Sequence, residues 1–181
     1  MKRLFVLLIV IIVIIPMKAQ FYISGSVGLC GVKVGGNDTQ TSFKIVPDIG
    51  YIINDKWSVG MAVGYKQGAC LVGYGLYGQN VNSKAFGIQP YVRYNVLQYE
   101  VVDFFVDGVA SIETIKDEGT NYNCGLRPGL LFNLTKKIGI LSHIGFMGLE
   151  YYHPNGMGRK SCIAGLDFDT SNITIGVIYK I

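Results

Sequence analysis

A serine, two histidines and a glutamate in the last third of the sequence are the residues whose types would suit catalysis. They are Ser142, His143, Glu150 and His153. In acyl transfer a histidine takes the proton of a serine hydroxyl while a carboxylate orients the ring. The segment 138–144 alternates like a β-strand, however, and adjacent residues of a strand point to opposite faces. We therefore expect that Ser142 and His143 do not share a proton. His143 is predicted to be a hydrogen-bonded interior residue, His153 a loop residue, and the protein not an enzyme.

Metal and cofactor sites are also not expected. The two histidines are accompanied by no carboxylate or thiol at the spacing that metal sites use. The segment Gly73–Gly78, GYGLYG, matches the glycine pattern of dinucleotide-binding loops. That pattern binds phosphate only between a strand and a helix, and no helical periodicity follows it here. The segment is predicted to be a flexible glycine- and tyrosine-rich loop.

The first 19 residues have the layout of a secretory signal peptide. Lys2 and Arg3 precede an apolar run that ends at Ile15, and the small residue Ala19 marks the expected cleavage point. The run has about 12 residues, whereas a membrane-spanning helix needs about 20. The leader holds three of the 16 lysines and arginines, so residues 20–181 are nearly neutral and lack the basic patch that nucleic-acid binding requires. We expect residues 20–181 to form one domain.

A repeat in the rest of the chain predicts the fold. Three segments, beginning at Pro47, Pro90 and Pro128, read proline-x-aliphatic-x-aromatic-x-aliphatic and run into a turn, and Ile175–Ile181 has the same form. A return strand follows each of the first three, which gives an array of hairpins. The predicted strands are 21–30, 43–53, 57–66, 83–96, 103–113, 122–134, 138–149 and 162–181. Short turns (54–56, 97–102, 135–137) lie at one end, and longer loops (31–42, 67–82, 114–121, 150–161) lie at the other. Each strand proline is expected to sit at a bulge or to leave out one ladder bond.

The residues on the two faces of the strands indicate which face lines the lumen and which faces lipid. One row of strand 57–66 is Ser58, Gly60, Ala62, Gly64 and Lys66, which suits a narrow lumen better than a water-exposed surface. The opposite rows are apolar, as a lipid-facing surface requires. Aromatic residues cluster near the turn ends, where an interfacial girdle would lie. The predicted girdle is Tyr51, Trp57, Tyr94, Phe104, Phe132 and Tyr179.

The segments PDIGYIINDKWSVG, IQPYVRYNV, LRPGLLFNLTKK and SNITIGVIYKI resemble the small eight-stranded outer-membrane β-barrel family that is OmpA- and OmpX-like, within the porin-like superfamily. The resemblance covers nearly all of residues 20–181. It implies an all-β fold, an eight-stranded antiparallel up-and-down transmembrane β-barrel in the cell outer membrane, surrounded by lipid and preceded by a cleaved signal peptide. It also implies that the last strand is read by the barrel-assembly machinery. That strand usually ends in an aromatic residue, but here Tyr179 lies two before the end.

A structural or surface-interaction role is expected for such a barrel. Apolar and aromatic residues in loop 67–82 and around Tyr151 either anchor an unknown surface partner or cap the barrel mouth. Two alternatives stay open: a barrel that binds a hydrophobic ligand, in the membrane or as a soluble periplasmic protein, and a lipid-modifying enzyme of the outer membrane.

The lumen is predicted to be filled by a polar network and not to conduct ions. Its members are Lys44, Asp48, Lys66, Arg93, Asp107 and Arg127. Counting along the hairpins places Asp107 about one inward step from both Arg93 and Arg127, so we expect two guanidinium groups to pair with this carboxylate.

Four cysteines lie near the loop ends of the strands, one for each hairpin. They are Cys30, Cys70, Cys124 and Cys162. Exported proteins can keep disulfides, and the first and last strands are neighbours in a closed barrel. The preferred pair is therefore Cys30–Cys162, with free thiols as the alternative.

Overall fold

The computed structural model describes residues 20–32, 40–67, 84–156, 160–167 and 174–181. These residues form an all-β fold of ten strand segments, all paired antiparallel. The segments are β1 (Gln20–Val32), β2 (Gln40–Ile52), β3 (Trp57–Gln67), β4 (Lys84–Gln98), β5 (Val102–Ile115), β6 (Gly119–Asn133), β7 (Ile138–His143), β8 (Phe146–Pro154), β9 (Ser161–Asp167) and β10 (Thr174–Lys180).

The sheet closes into an eight-stranded barrel. Each of β1 to β5 pairs with the next strand in sequence. The circle is completed by the pairs β6–β7, β7–β10 and β10–β1. On the loop side β6 also pairs with β8, and β8 with β9. The segments β7 and β8 therefore act as the seventh strand, and β9 and β10 as the eighth. The predicted barrel is confirmed, and its ladders leave no open edge in the turn half, as lipid requires.

The outer face is apolar around the whole barrel. Exposed residues from seven of the segments include Ile23, Ile49, Met61, Val92, Ile112, Met147 and Val177. In a water-soluble protein so many exposed large apolar side chains would be an aggregation hazard, whereas lipid accommodates them. The lipid-facing direction that the sequence pattern predicts is the direction in which these side chains point.

The turns and loops differ in part from the expected ones. Asn54 Oδ1 accepts hydrogen bonds from the backbone N–H groups of Lys56 and Trp57, both at 2.9 Å, and closes the first short turn. Thr135 closes the equivalent turn after β6 through the N–H groups of Lys137 and Ile138. The predicted loop 114–121 is wrong, because β5 and β6 stay paired up to Ile115 and Gly119 around a tight turn with Asp117 at a φ of 63°. An aspartate tolerates that left-handed conformation better than most residues.

The three strand prolines are tolerated in one common way. Pro47, Pro90 and Pro128 each pair with the preceding strand, opposite Gly25, Met61 and Val106. Each is missing from the ladder with the following strand, which is where a proline without an N–H would leave a gap. At Pro47 and Pro90 the register continues unchanged beyond the gap, so these two follow the expectation of a missing ladder bond.

Pro128 lies opposite a β-bulge. The pairing of β6 with β7 ends at Gly129↔His143, and the pairing with β8 resumes at Leu126↔Met147, so the partner strand contains one extra residue. Gly145 in this break has a φ of +77°, a conformation that glycine adopts without steric cost. The bulge lets both His143 and Glu150 point into the lumen although they are seven residues apart in sequence.

Candidate functional site: the barrel lumen

The centre of the lumen contains a buried ion pair between β4 and β5. Arg93 lies directly opposite Asp107 in the register. Its Nε donates to Asp107 Oδ1 at 2.7 Å and its Nη2 donates to Oδ2 at 2.9 Å, and only 4% and 2% of the two residues is exposed. The guanidinium also lies 4.0 Å from the ring centroid of Phe105, over its face. This planar, bidentate arrangement is the one that makes arginine suited to buried pairs.

His143 of β7 completes this layer from the opposite side. Its Nε2 lies 2.8 Å from Asp107 Oδ2, and its ring meets Phe105 edge-on with the centroids 5.4 Å apart. Sequence reasoning placed His143 in the lumen as a hydrogen-bonded residue but did not predict this partner. The sequence contains a signal for the inward position of His143, since residues two apart in a strand point to the same face, and Leu141 also points into the lumen.

Arg127 does not have the expected role. It lies directly opposite Asp107 in the β5–β6 register, and Arg93 lies opposite Asp107 on the other side, so the predicted offset of one inward step was wrong for both. The second group on the carboxylate is His143, while Arg127 Nη1 donates to Gln89 Oε1 at 3.2 Å. In each hairpin the centre of the turn lies one residue away from the position that the predicted register required, and this shifts the pairing by two residues.

A second polar chain lies beside the ion-pair layer. Tyr91 donates its phenolic proton to Asp48 Oδ1 at 2.8 Å, so Tyr22, whose Oη lies 2.6 Å away, donates to Tyr91. Ser24 donates to the other oxygen of Asp48 at 2.5 Å. The carboxylate of Asp48 is therefore hydrogen-bonded by hydroxyl groups, and no cation among the described residues forms an ion pair with it.

Below these two layers, on the turn side, aromatic and aliphatic side chains pack together in the lumen. Tyr22, Phe105, Leu131, Leu141 and Ile178 form one buried cluster there. Space for the rings comes from inward glycines on neighbouring strands, since a Cβ on Gly50 would overlap the ring of Tyr22 and one on Gly60 would overlap that of Tyr91. The turn half of the barrel is thus a packed core.

Above the ion-pair layer, on the loop side, lies a cavity of about 500 Å³. Its wall contains three cationic side chains, Lys44, Lys66 and Arg127, and two acidic ones, Glu113 and Glu150. Lys66 Nζ pairs with Glu113 Oε2 at 2.5 Å, and Glu150 Oε1 accepts a hydrogen bond from Asn121 at 2.5 Å. All six residues predicted for the lumen network line this cavity, from its floor or its wall. The two glutamates were not predicted.

The chemistry open to the central layer is limited. Thr174 Oγ1 lies 3.3 Å from His143 Nδ1. Asp107, His143 and Thr174 therefore form a chain of side-chain contacts in the carboxylate–histidine–hydroxyl order of a catalytic triad. In such triads the carboxylate carries an uncompensated charge that stabilises the protonated ring. Here the charge of Asp107 is already neutralised by the bidentate Arg93. The arrangement therefore favours a structural role over proton transfer, and Ser142 lies outside it, between Ile175 and Leu130 in the ladders.

The residues of the predicted girdle all lie at the turn end of the barrel. Trp57 is paired with Tyr94, and their rings lie 4.7 Å apart. Trp57, Phe104, Phe132 and Tyr179 are exposed, and Tyr51 and Tyr94 are half-buried. Two further rings belong to this belt and were not predicted, since Phe21 contacts Tyr51 and Tyr99 contacts Phe104.

The remaining predictions concern residues that the structure describes in part or not at all. Cys124 and Cys162 are exposed, and neither is bonded to another cysteine of the described residues. The side chain of Cys30 lies outside the described part of the chain, as do Cys70, residues 1–19 and most of loop 67–82. The Cys30–Cys162 bridge and the signal peptide therefore stay predictions.

Within the described ranges, no helix is long and apolar enough to cross a membrane, and no group of three or more histidine, cysteine, aspartate or glutamate side chains is placed to hold a metal ion.

Comparison with known proteins agrees with the closed, apolar-outside barrel. A family model described as the outer membrane protein beta-barrel domain matches residues 5–180. The chain belongs to this family. Its location is therefore the cell outer membrane, where lipid surrounds the barrel, as the sequence predicts. No curated protein matches the sequence.

Two solved structures show the same barrel fold. The outer membrane protein OprG from Pseudomonas aeruginosa is 15% identical, with a TM-score of 0.54 over 90% of this chain and 96% of that one. A major outer membrane protein from Thermus thermophilus is 12% identical, with a TM-score of 0.51 over 90% of this chain and 99% of that one. At such identities the likeness to these two proteins supports the fold alone.

Proposed function

We propose that this protein is a structural or surface-interacting barrel of the outer membrane whose lumen does not conduct ions and holds no enzymatic centre. The observation that supports this is the buried, hydrogen-bonded layer in the lumen. Arg93, Asp107 and His143 join β4, β5 and β7 by hydrogen bonds of 2.7 to 2.9 Å, and all three are buried.

The packed cluster on the turn side supports the same proposal. Tyr22 and Phe105 are 1% and 2% exposed, so they leave little space for a continuous water path beneath the ion-pair layer. Eight strands enclose an interior only about wide enough for side chains to fill. A conducting path would have to open both the ion-pair layer and the packed cluster beneath it. Opening the ion-pair layer would leave a buried charge without its partner, which is unfavourable.

The alternative of a hydrophobic-ligand barrel has less support. The 500 Å³ cavity is the space in which a ligand would lie, and lysine, arginine and glutamate side chains project into it. Burying apolar groups against charged side chains is unfavourable. A lipid-modifying activity is also disfavoured, because Asp107 is neutralised by Arg93 and cannot activate His143.

Recordings in planar lipid bilayers test the proposal. The purified, folded protein is expected to give no steady channels, and insertion is verified on the same sample by the mobility difference between unboiled and boiled protein on a detergent gel. Steady channels of porin size in the native protein would refute a closed lumen.

The absence of an enzymatic role has a separate test. Outer-membrane lipids from cells with the native protein and from cells with the His143→Ala variant are expected to have the same composition. A lipid species that is lost with His143 would instead assign a catalytic role to this residue. Export by residues 1–19 and recognition of the last strand by the assembly machinery belong to the same proposal.

A further inference from the structure

Lys44 has an unusual position in the loop half of the lumen. It lies directly opposite Lys66 in the β2–β3 ladder. On the other side it lies opposite Gly28, and its stem packs so closely there that a Cβ on Gly28 would come within 2.8 Å of Lys44 Cε. The glycine therefore makes room for the lysine stem inside the barrel. Two like charges directly across a ladder are destabilising, so the arrangement needs a compensating negative charge.

The acids of the cavity do not supply that charge. Glu113 is paired with Lys66 at 2.5 Å, and Glu150 is bound by Asn121. Deeper in the lumen, Asp107 is held by Arg93 and His143, and Asp48 by hydroxyl groups. Among the described residues, no carboxylate forms an ion pair with Lys44. The charged groups that act on it at longer range are two cations, Lys66 and Arg127, and one acid, Glu113.

The cavity in front of Lys44 has room for a small molecule. Its volume is about 500 Å³, and Lys44, Lys66 and Arg127 all contribute to its wall. The hydrogen-bonded layer around Asp107 forms its floor. An unmatched lysine beside an arginine and a second lysine, in a pocket closed on one side, is an arrangement that favours an anion carrying several oxygen acceptors.

We propose that the loop half of the lumen is a binding site for a small soluble phosphate, with Lys44 as its principal ligand and with Lys66 and Arg127 as supporting cations. Phosphate chemistry fits better than a single halide because cationic side chains from three different strands, β2, β3 and β6, line the same cavity. The wall strands that carry these residues are paired with their neighbours, so the phosphate does not enter between them. The site extends the proposed role, since a closed floor below the cavity permits binding without conduction.

Titration of the folded, membrane-extracted protein with sodium phosphate tests the site, with ionic strength held constant by sodium chloride and heat measured by calorimetry. The native protein is expected to bind one phosphate saturably. Lys44→Met keeps the length of the stem over Gly28 but removes the charge, and it is expected to weaken binding at least tenfold. Lys44→Arg is expected to restore most of the affinity. Lys56→Met, in the exposed turn at the other end of the barrel, is the matched control and is expected to bind like the native protein.

Three results would overturn the site. The first is the absence of saturable heat with the native protein. The second is equal affinity of the native protein and Lys44→Met, or equal loss in Lys44→Met and Lys56→Met, which would indicate an adventitious ion only. The third is binding of a short-chain phosphatidic acid without binding of inorganic phosphate, which would indicate a lipid contact on the outer surface. The gel-mobility difference verifies that each variant is folded. If Lys44→Met does not fold, the first and third results still decide, because they need only the native protein.

Discussion

At the scale of single residues, Asp107 is the group on which the lumen depends most. Three bonds of 2.9 Å or less converge on its two oxygens, from Arg93 and His143. Desolvating this carboxylate is unfavourable, and only the complete set of partners compensates for it. Its contribution is therefore to hold three strands in one arrangement, since each partner comes from a different strand.

Removing this carboxylate is expected to be costly. Asp107→Ala leaves the buried Arg93 without its partner, so we expect the free energy of unfolding to fall by about 3 to 5 kcal/mol. Urea titration in detergent or lipid, followed by the fluorescence of Trp57, the single tryptophan, measures the loss. Asp55→Ala, in an exposed turn, is the control and should change stability by less than about 0.5 kcal/mol. Equal effects of the two substitutions would show that the buried pair is not the stabilising feature.

Two inward glycines of β3 provide a second comparison at this scale. A Cβ on Gly60 would overlap the ring of Tyr91 and approach Ile49 O to 2.9 Å, whereas a Cβ on Gly64 would meet only Val46 Cγ2, at 3.7 Å. Gly60→Ala is therefore expected to destabilise the barrel by about 1 to 3 kcal/mol, the usual cost of overpacking. Gly64→Ala should be neutral or slightly stabilising, because alanine lowers the entropy of the unfolded chain. The same urea titration checks both, and a larger loss for Gly64→Ala would contradict the packing described for Tyr91.

At the scale of elements, the bulge between β7 and β8 sets which side chains face the lumen. Without the extra residue at Gly145, strict alternation from His143 would turn Glu150 outward toward lipid. Gly145→Ala forces a residue with a Cβ into a positive φ, which is expected to cost about 1 to 2 kcal/mol. Gly165→Ala, where a Cβ would meet no atom within 4 Å, is the matched control. The difference between the two unfolding free energies is the measurement, and no difference would show that the bulge carries no strain.

The bulge also marks the limit of what the sequence predicts. Alternation and the proline repeat are local patterns, and they predict the eight strands, the lipid-facing rows and the girdle. The partner of Asp107 depends on the register across two hairpins. An error of two residues in each predicted register placed Arg93 and Arg127 diagonal to Asp107, whereas the structure pairs both directly opposite it. Segment 114–121 contains the turn formers Asp117 and Gly119, which indicate a break between two strands but not its length. In the structure three residues, 116–118, are enough for the turn. Gly145 carries no signal distinct from that of the other glycines.

At the scale of the whole molecule, the barrel has two different halves. The turn half is filled by aromatic and aliphatic side chains and surrounded by the aromatic girdle. The loop half contains the cavity and its charged wall. The buried charges of the central layer separate the two. The packed core thus lies on the turn side, and the loop side has the space in which a binding function can arise.

The apolar outer belt leads to a prediction about depth in the membrane. Ile88 of β4 is exposed and lies six residues from the girdle residue Tyr94, near the middle of a belt that is about 25 Å tall in such barrels. Val96 is also exposed but lies on the turn side of Tyr94, at the interface. An arginine at the midplane costs about 2 to 4 kcal/mol and one near the interface about 0 to 1. Folding of Ile88→Arg and Val96→Arg into phospholipid vesicles, titrated with urea and read from the gel-mobility difference, is therefore expected to show a loss for Ile88→Arg several times larger. Equal losses would mean that Trp57 and Tyr94 do not mark the membrane boundary, because only the distance from that boundary distinguishes the two positions.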